Sequence, residues 1–140
     1  MKTEKIKISS TIGSGIEKVW ECWVLPEHIT QWNFASDDWC CPKAENDLRV
    51  GGRYLARMEA KDDSFGFDFE AIYDEVEPMK KISYVMTDGR RAITNFESLG
   101  NEVKLTTEFD PENQNPIDMQ RDGWQAILDN FKKYVENLNG

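Results

Sequence analysis

GWQAILDNFKKYVENL, residues 123–138, is the stretch that decides the fold. Its apolar residues Trp124, Ile127, Leu128, Phe131, Tyr134, Val135 and Leu138 recur at intervals of 3, 1, 3, 3, 1 and 3, which places them on one face of an α-helix. A face of that length needs a broad apolar surface to cover. The chain upstream supplies one.

From Val50 onward the hydrophobic period changes from helical to two. Tyr54, Ala56, Met58 and Ala60 share one side of a strand, with Arg53, Arg57 and Glu59 on the other. Gly51-Gly52 ahead of it suits a bend or bulge. The next strand has the clearest alternation: Phe65, Phe67, Phe69, Ala71 and Tyr73 form an aromatic inner face, and Asp68 and Glu70 point the other way. Turn signals at Pro78-Met79, Asp88-Gly89 and Gly100-Asn101 separate strands near 80–87, 90–98 and 101–110. Val103, Leu105, Thr107 and Phe109 form the covered face of the last one.

Ahead of this meander, residues 3–12 alternate as a first strand, and Ser14 is placed to cap a helix over 15–24 that carries Ile16, Val19, Trp20 and Trp23. Pro26 suits the first turn of a second short helix over 26–32. Residues 33–48 show no clear period and read as a long structured loop. The order predicts an α+β helix-grip fold. In it a curved antiparallel sheet of about six strands wraps a long C-terminal helix, two short helices follow the first strand, and residues 1–140 form one domain.

Composition narrows the function. A formal charge of -9 with no basic stripe argues against nucleic-acid binding, which relies on Lys and Arg to neutralise phosphates. No run approaches the ~20 apolar residues of a membrane span, and the charged start of the chain does not open a signal peptide. A cytoplasmic protein is expected, as a monomer or a homodimer. Cys22, Cys40 and Cys41 are odd in number and partly adjacent, so reduced thiols are expected.

Several strings resemble one family when taken in order. They are Val19-Trp20-Glu21-Cys22-Trp23 leading to Ile29-Thr30-Gln31-Trp32, then Leu48-Arg49-Val50-Gly51-Gly52-Arg53-Tyr54, then Tyr73-Asp74-Glu75-Val76-Glu77-Pro78, and finally Gly123-Trp124 with Leu128, Phe131 and Val135. The chain resembles the START and birch-pollen-allergen-like (SRPBCC) superfamily, and within it homologues of the C-terminal domain of the heat-shock-90 chaperone ATPase activator. The resemblance implies the helix-grip fold. For function it implies three options: carriers of lipids or other apolar ligands, aromatic polyketide cyclases, and chaperone regulators.

A sheet gripping a helix leaves a concavity lined from both sides. Candidate lining residues are Trp20, Trp32, Phe34, Trp39, Tyr54, Met58, Phe67, Phe69, Tyr84, Trp124, Ile127, Leu128 and Phe131. Simple core packing competes for every one of them. Gly123 reads as the helix start, or as a position that leaves room for a close neighbouring strand or for a ligand. His28, the single histidine, has no nucleophile motif to serve and reads as a surface residue. Adjacent Cys40-Cys41 with His28 and Asp37 or Asp38 lack the ligand spacing of a zinc site. No catalytic residue, metal or cofactor is therefore assigned. The expectation is non-enzymatic binding of an apolar or aromatic small molecule. The alternatives are regulation of a chaperone ATPase and cyclase-like chemistry using Tyr54 or Tyr84 as an acid.

Overall fold

The long closing helix lies against one sheet whose two ends of chain are joined through their neighbours. A computed structural model describes residues 5–138. The elements are β1 (Ile6–Ile12), α1 (Ile16–Val24), α2 (Pro26–Trp32), β2 (Trp39–Asn46), β3 (Arg53–Ala60), β4 (Gly66–Glu77), β5 (Lys81–Met86), β6 (Arg91–Ser98), β7 (Val103–Phe109) and α3 (Ile117–Leu138). The sheet has seven strands in the order β1-β7-β6-β5-β4-β3-β2, and every pair is antiparallel. This is the helix-grip architecture, with one strand more than expected. The residues 3–4 assigned to the first strand lie outside the described residues.

The additional strand is β2, inside the stretch read as a loop. Its register with β3 shifts between Cys40 and Lys43, where Pro42 sits. The shift breaks the two-residue period, and a proline is tolerated there because β2 is an edge strand. Helix α2 packs against β2 and steadies it.

Two further expectations need correction. Gly15, not Ser14, is the N-cap of α1, and no side chain caps that end; Ser14 is buried. Helix α3 begins at Ile117 rather than Gly123. Its first turn is held by Gln120, which is buried, accepts from the Glu112 backbone N–H at 2.9 Å and donates to the Asn115 carbonyl at 2.8 Å. Gly123 thus sits inside the helix, a Cβ added there meets nothing within 4 Å, and it is not among the residues that line the cavity described below, so neither a helix start nor tight packing explains it and nothing ties it to ligand room.

The glycine pair before β3 does have a structural task. Gly51 has φ +86°, a left-handed conformation that favours glycine, and a Cβ on Gly52 would lie 1.9 Å from the Asp47 carbonyl oxygen. This tight turn lets the Gly51 N–H bond the Tyr73 carbonyl at 2.8 Å and the Tyr73 N–H bond the Gly52 carbonyl at 3.0 Å. The turn therefore fixes the middle of β4, where Tyr73 projects into the interior.

The core forms where α1 and α2 wedge between the sheet and α3. Trp23 stacks on Trp32 with centroids 5.0 Å apart, and Phe131 meets both rings edge-on at 4.9 and 4.8 Å. The Trp32 indole N–H donates to the Cys22 carbonyl at 2.8 Å, so the polar atom of the buried tryptophan is satisfied. Elsewhere α3 is tied to β1 by Gln125 and Lys132, which donate to the Ser9 and Thr11 carbonyls, and Trp124 stacks on Phe109 at 3.9 Å.

Candidate functional site

Between α3 and the sheet, beyond the aromatic plug, the side chains leave a cavity of about 190 Å³. Its floor runs from β1 across the sheet to β3. Ile8, Thr107, Thr94 and Ile82 are successive cross-strand partners from β1 to β5, so they share one face. Tyr84 pairs with Tyr73, Met58 pairs with Phe67, and Tyr54 and Phe69 complete the floor. Trp124, Ile127 and Leu128 of α3 form the roof, and Trp23, Trp32 and Asn33 close one end. Phe67 is 40% exposed, so the cavity reaches the surface at the start of β4.

Several predicted lining residues meet here: Trp32, Tyr54, Met58, Phe67, Phe69, Tyr84, Trp124, Ile127 and Leu128 all border the cavity. Four others do not. Trp20 packs edge-on against Phe96 in the core, and Phe131 is fully buried at the centre of the plug. Phe34 is half-buried in the chain after α2, where its carbonyl accepts from Asn130. Trp39 turns outward to Phe65 and Phe67, with centroids 6.0 and 6.2 Å away. Phe65 itself is 61% exposed, although its parity matched the inner face, because it precedes β4 on the hairpin, beyond the cover of α3.

The residues not anticipated differ in how visible they were. Ile8, Tyr73, Ile82 and Thr107 carry the two-residue alternation, and Trp23 carries the helical one. Asn33 had no local signal. It is buried just after α2, and its amide donates to the Tyr54 hydroxyl at 3.0 Å.

The chemistry of this enclosure is neutral. Among the residues that line it there is no Asp, Glu, Lys, Arg or His. Its polar atoms belong to Asn33, to the Thr94 and Thr107 hydroxyls, which bond each other at 2.9 Å, to the indole nitrogens, and to three tyrosines. The Tyr73 hydroxyl donates to Asn46 Oδ1 at 2.7 Å. Burial pushes the phenols of Tyr54, Tyr73 and Tyr84 well above the ordinary tyrosine range, so all three keep their protons at neutral pH. They serve as hydrogen-bond donors rather than bases.

The ionisable residues lie elsewhere. Arg53 and Arg57 face outward, with Glu70 at 2.5 Å and Glu59 at 2.9 Å respectively. His28 is half-buried rather than solvated: its Nδ1 lies 2.6 Å from the Tyr134 hydroxyl, joining α2 to α3. Cys41 is buried near β3, and burial pushes its thiol up to about 11, which keeps it protonated and unreactive.

Comparison with known proteins agrees with the fold. Residues 14–136 match the family model described as Activator of Hsp90 ATPase homolog 1-like protein. The chain belongs to that family. Several proteins of solved structure are similar over nearly the whole chain. The AHSA1-like protein from Aeromonas hydrophila is 43% identical, with a TM-score of 0.87 over 95% of this chain and 94% of that one. A protein from Cytophaga hutchinsonii is 44% identical, with a TM-score of 0.82 over 95% and 92%. A Chromobacterium violaceum protein at 22% identity shares the fold, with a TM-score of 0.83 over 95% and 97%. No curated protein matches the chain. Among the described residues no helix is long and apolar enough to cross a membrane.

Proposed function

We propose that this activator-like protein binds a small, neutral aromatic or apolar molecule between the sheet and α3. The observation that carries the reading is the cavity of about 190 Å³ with aromatic walls and no charged lining residue. That volume is comparable to the ~150 Å³ apolar cavity that admits a benzene ring, and smaller than the ~300–1,000 Å³ of sites for drug-sized ligands. One or two fused rings fit such a space. A charged molecule would lose its hydration without gaining a counter-ion. The neutral lining and the retained tyrosine protons also favour binding over cyclase chemistry, which needs a group that exchanges a proton near pH 7.

Thermal-shift and native mass-spectrometry measurements with indole, naphthalene and benzoate test the reading. The two neutral compounds should raise the melting temperature and form 1:1 complexes, and Ile127→Trp, which fills the space from the roof, should abolish both effects. Equal stabilisation by benzoate, or no neutral complex up to the solubility limit, would contradict it.

Regulation of a chaperone ATPase is a second reading, suggested by the family description. The exposed rings of Phe65 and Phe67, with the half-buried Trp39 beside them, offer it a surface. Asp37, Asp38, Asp62 and Asp63 flank them on two turns joined by the Lys61 N–H bond to the Asp38 carbonyl at 2.8 Å. A change in chaperone ATPase turnover that Phe65→Ala removes would support this surface; unaltered turnover with the native protein would discard it.

A further inference from the structure

The hydrogen bonds around the cavity are unevenly satisfied, and the imbalance describes the ligand. The Tyr73 proton is committed to Asn46 Oδ1, and Asn46 in turn donates to the Val24 carbonyl at 2.6 Å. This chain ties β4 to β2 and to the end of α1, so it is part of the scaffold. Thr94 and Thr107 satisfy each other. Tyr54 is different, because its oxygen accepts from Asn33 while its own proton goes to no described residue. Tyr84 goes further: it borders the cavity, and its hydroxyl makes no hydrogen bond to any described residue.

The free hydroxyl is not sealed in the interior. Among the described residues no fully buried side-chain nitrogen or oxygen lacks a partner, so the Tyr84 oxygen lies where another molecule can touch it. Tyr54 and Tyr84 rise from the same face of the sheet, with rings 18° from parallel and centroids 5.9 Å apart. Both residues border the same cavity, so two neighbouring phenols line one space. Aromatic walls surround them: Phe69 is 5.9 Å from Tyr84 and 6.4 Å from Trp124.

Resting on the cavity reading above, we propose that the site selects a neutral aromatic carbonyl compound, whose oxygen accepts from the Tyr84 hydroxyl, with Tyr54 as the neighbouring donor. A carbonyl oxygen has two lone pairs and no proton, so it complements donors without competing with them. A hydrocarbon of the same shape leaves the phenol unpaired in an enclosed space. A carboxylate would satisfy the donors, but no cation lines the cavity, and Arg90, whose charge acts on the Tyr84 phenol from outside the lining, is already paired with Asp88 at 2.7 Å. Tyr84 then sets specificity, and the surrounding rings supply most of the affinity through apolar contact.

Acetophenone, cumene and benzoate form a matched set: a ketone, its hydrocarbon isostere and an anion. Calorimetric titration of the native protein should give the order acetophenone, then cumene, with benzoate weakest. Tyr84→Phe should weaken acetophenone about 3- to 10-fold, the range of one neutral hydrogen bond, and leave cumene unchanged or slightly tighter. The infrared carbonyl stretch of bound ¹³C-labelled acetophenone reports the bond itself. It should shift to lower frequency in the native complex and move back in Tyr84→Phe, a change that a merely structural role of Tyr84 would not produce. Equal acetophenone affinity and an unmoved carbonyl band in Tyr84→Phe, with cumene still bound, would overturn the carbonyl inference alone. Failure of both neutral compounds to bind the native protein would overturn the cavity reading and this inference together.

Discussion

Helix α3 meets one sheet in two different ways along its length. Around Phe131 and Val135 it closes on the α1 and α2 wedge, where Phe131 has no exposed surface and Trp23 and Trp32 hold it at van der Waals distance. One or two turns earlier, Trp124 and Ile127 stand over the tyrosines and the Thr94–Thr107 pair, and a cavity remains. The difference lies in what each half presents to the helix. The plug offers apolar rings, and the N–H of its buried indole, Trp32, is already bonded, so among the described residues close packing there seals off no polar side-chain atom without a partner. The floor of the other half carries the Tyr84 hydroxyl, which bonds no described residue, and apolar α3 residues pressed onto it would bury that polar atom without a partner. On the proposed reading, stability is concentrated in one half and recognition in the other.

Mutations should separate the two halves, and denaturant unfolding measures each. Phe131→Ala empties the centre of the plug and should cost about 3–5 kcal/mol, the range for a fully buried aromatic. A loss below about 1.5 kcal/mol would mean that the plug is not the tightly packed half. Thr107→Val in the cavity floor should cost about 1–2 kcal/mol, because it strands the buried Thr94 hydroxyl. The double change Thr94→Val, Thr107→Val should recover most of that loss, since both polar partners are then gone.

Smaller effects sharpen the picture at the cavity end. Gly123→Ala should stabilise the protein by about 0.5–1 kcal/mol, because the position is helical and open on the side where a Cβ would point. A destabilisation would show that α3 approaches its neighbours more closely there. Asp110 fastens the seam of β1 and β7 beneath Trp124. It accepts from Lys5 Nζ at 2.7 Å and from the Arg91 backbone N–H at 3.0 Å, and chiefly the Lys5 bond holds its carboxyl below the usual 3.8. Its contribution is therefore present above pH 3.8 and is lost as the pH falls through the depressed folded value. Because the pair is largely exposed, Asp110→Asn should cost only a few tenths of a kcal/mol at pH 7. The difference from native should vanish in strongly acidic solution.

The uneven legibility of the sequence follows the same division. The stripe from Trp124 to Leu138 and the alternation in β3 to β7 are repeats imposed by burial, and they locate α3, the sheet and the inward side of most strands. β2 escapes that logic because Pro42 and the register shift after Cys40 interrupt the period. The true start of α3 escapes because Ile117 and Met119 are exposed and Gln120, not an apolar residue, anchors the first turn. Phe65 has the parity of an inner residue, but parity does not record where the cover of α3 ends. The cavity is the hardest feature to read. Period places Tyr54, Phe69 and Tyr84 on one face, yet whether facing side chains meet or leave 190 Å³ depends on summed volumes across the fold. The Asn33–Tyr54 bond is a contact between distant residues that no local pattern encodes.

The central claim is that the space under α3 is where a small neutral aromatic molecule binds. Intermolecular nuclear Overhauser effects between bound indole and the methyl groups of the protein test it most directly. The account predicts saturable binding with contacts to Ile8, Ile82, Ile127 and Leu128, the methyl-bearing aliphatic residues of the floor and roof. Contacts confined to exposed methyls such as those of Ile72 and Leu99, or the absence of saturable binding, would contradict it.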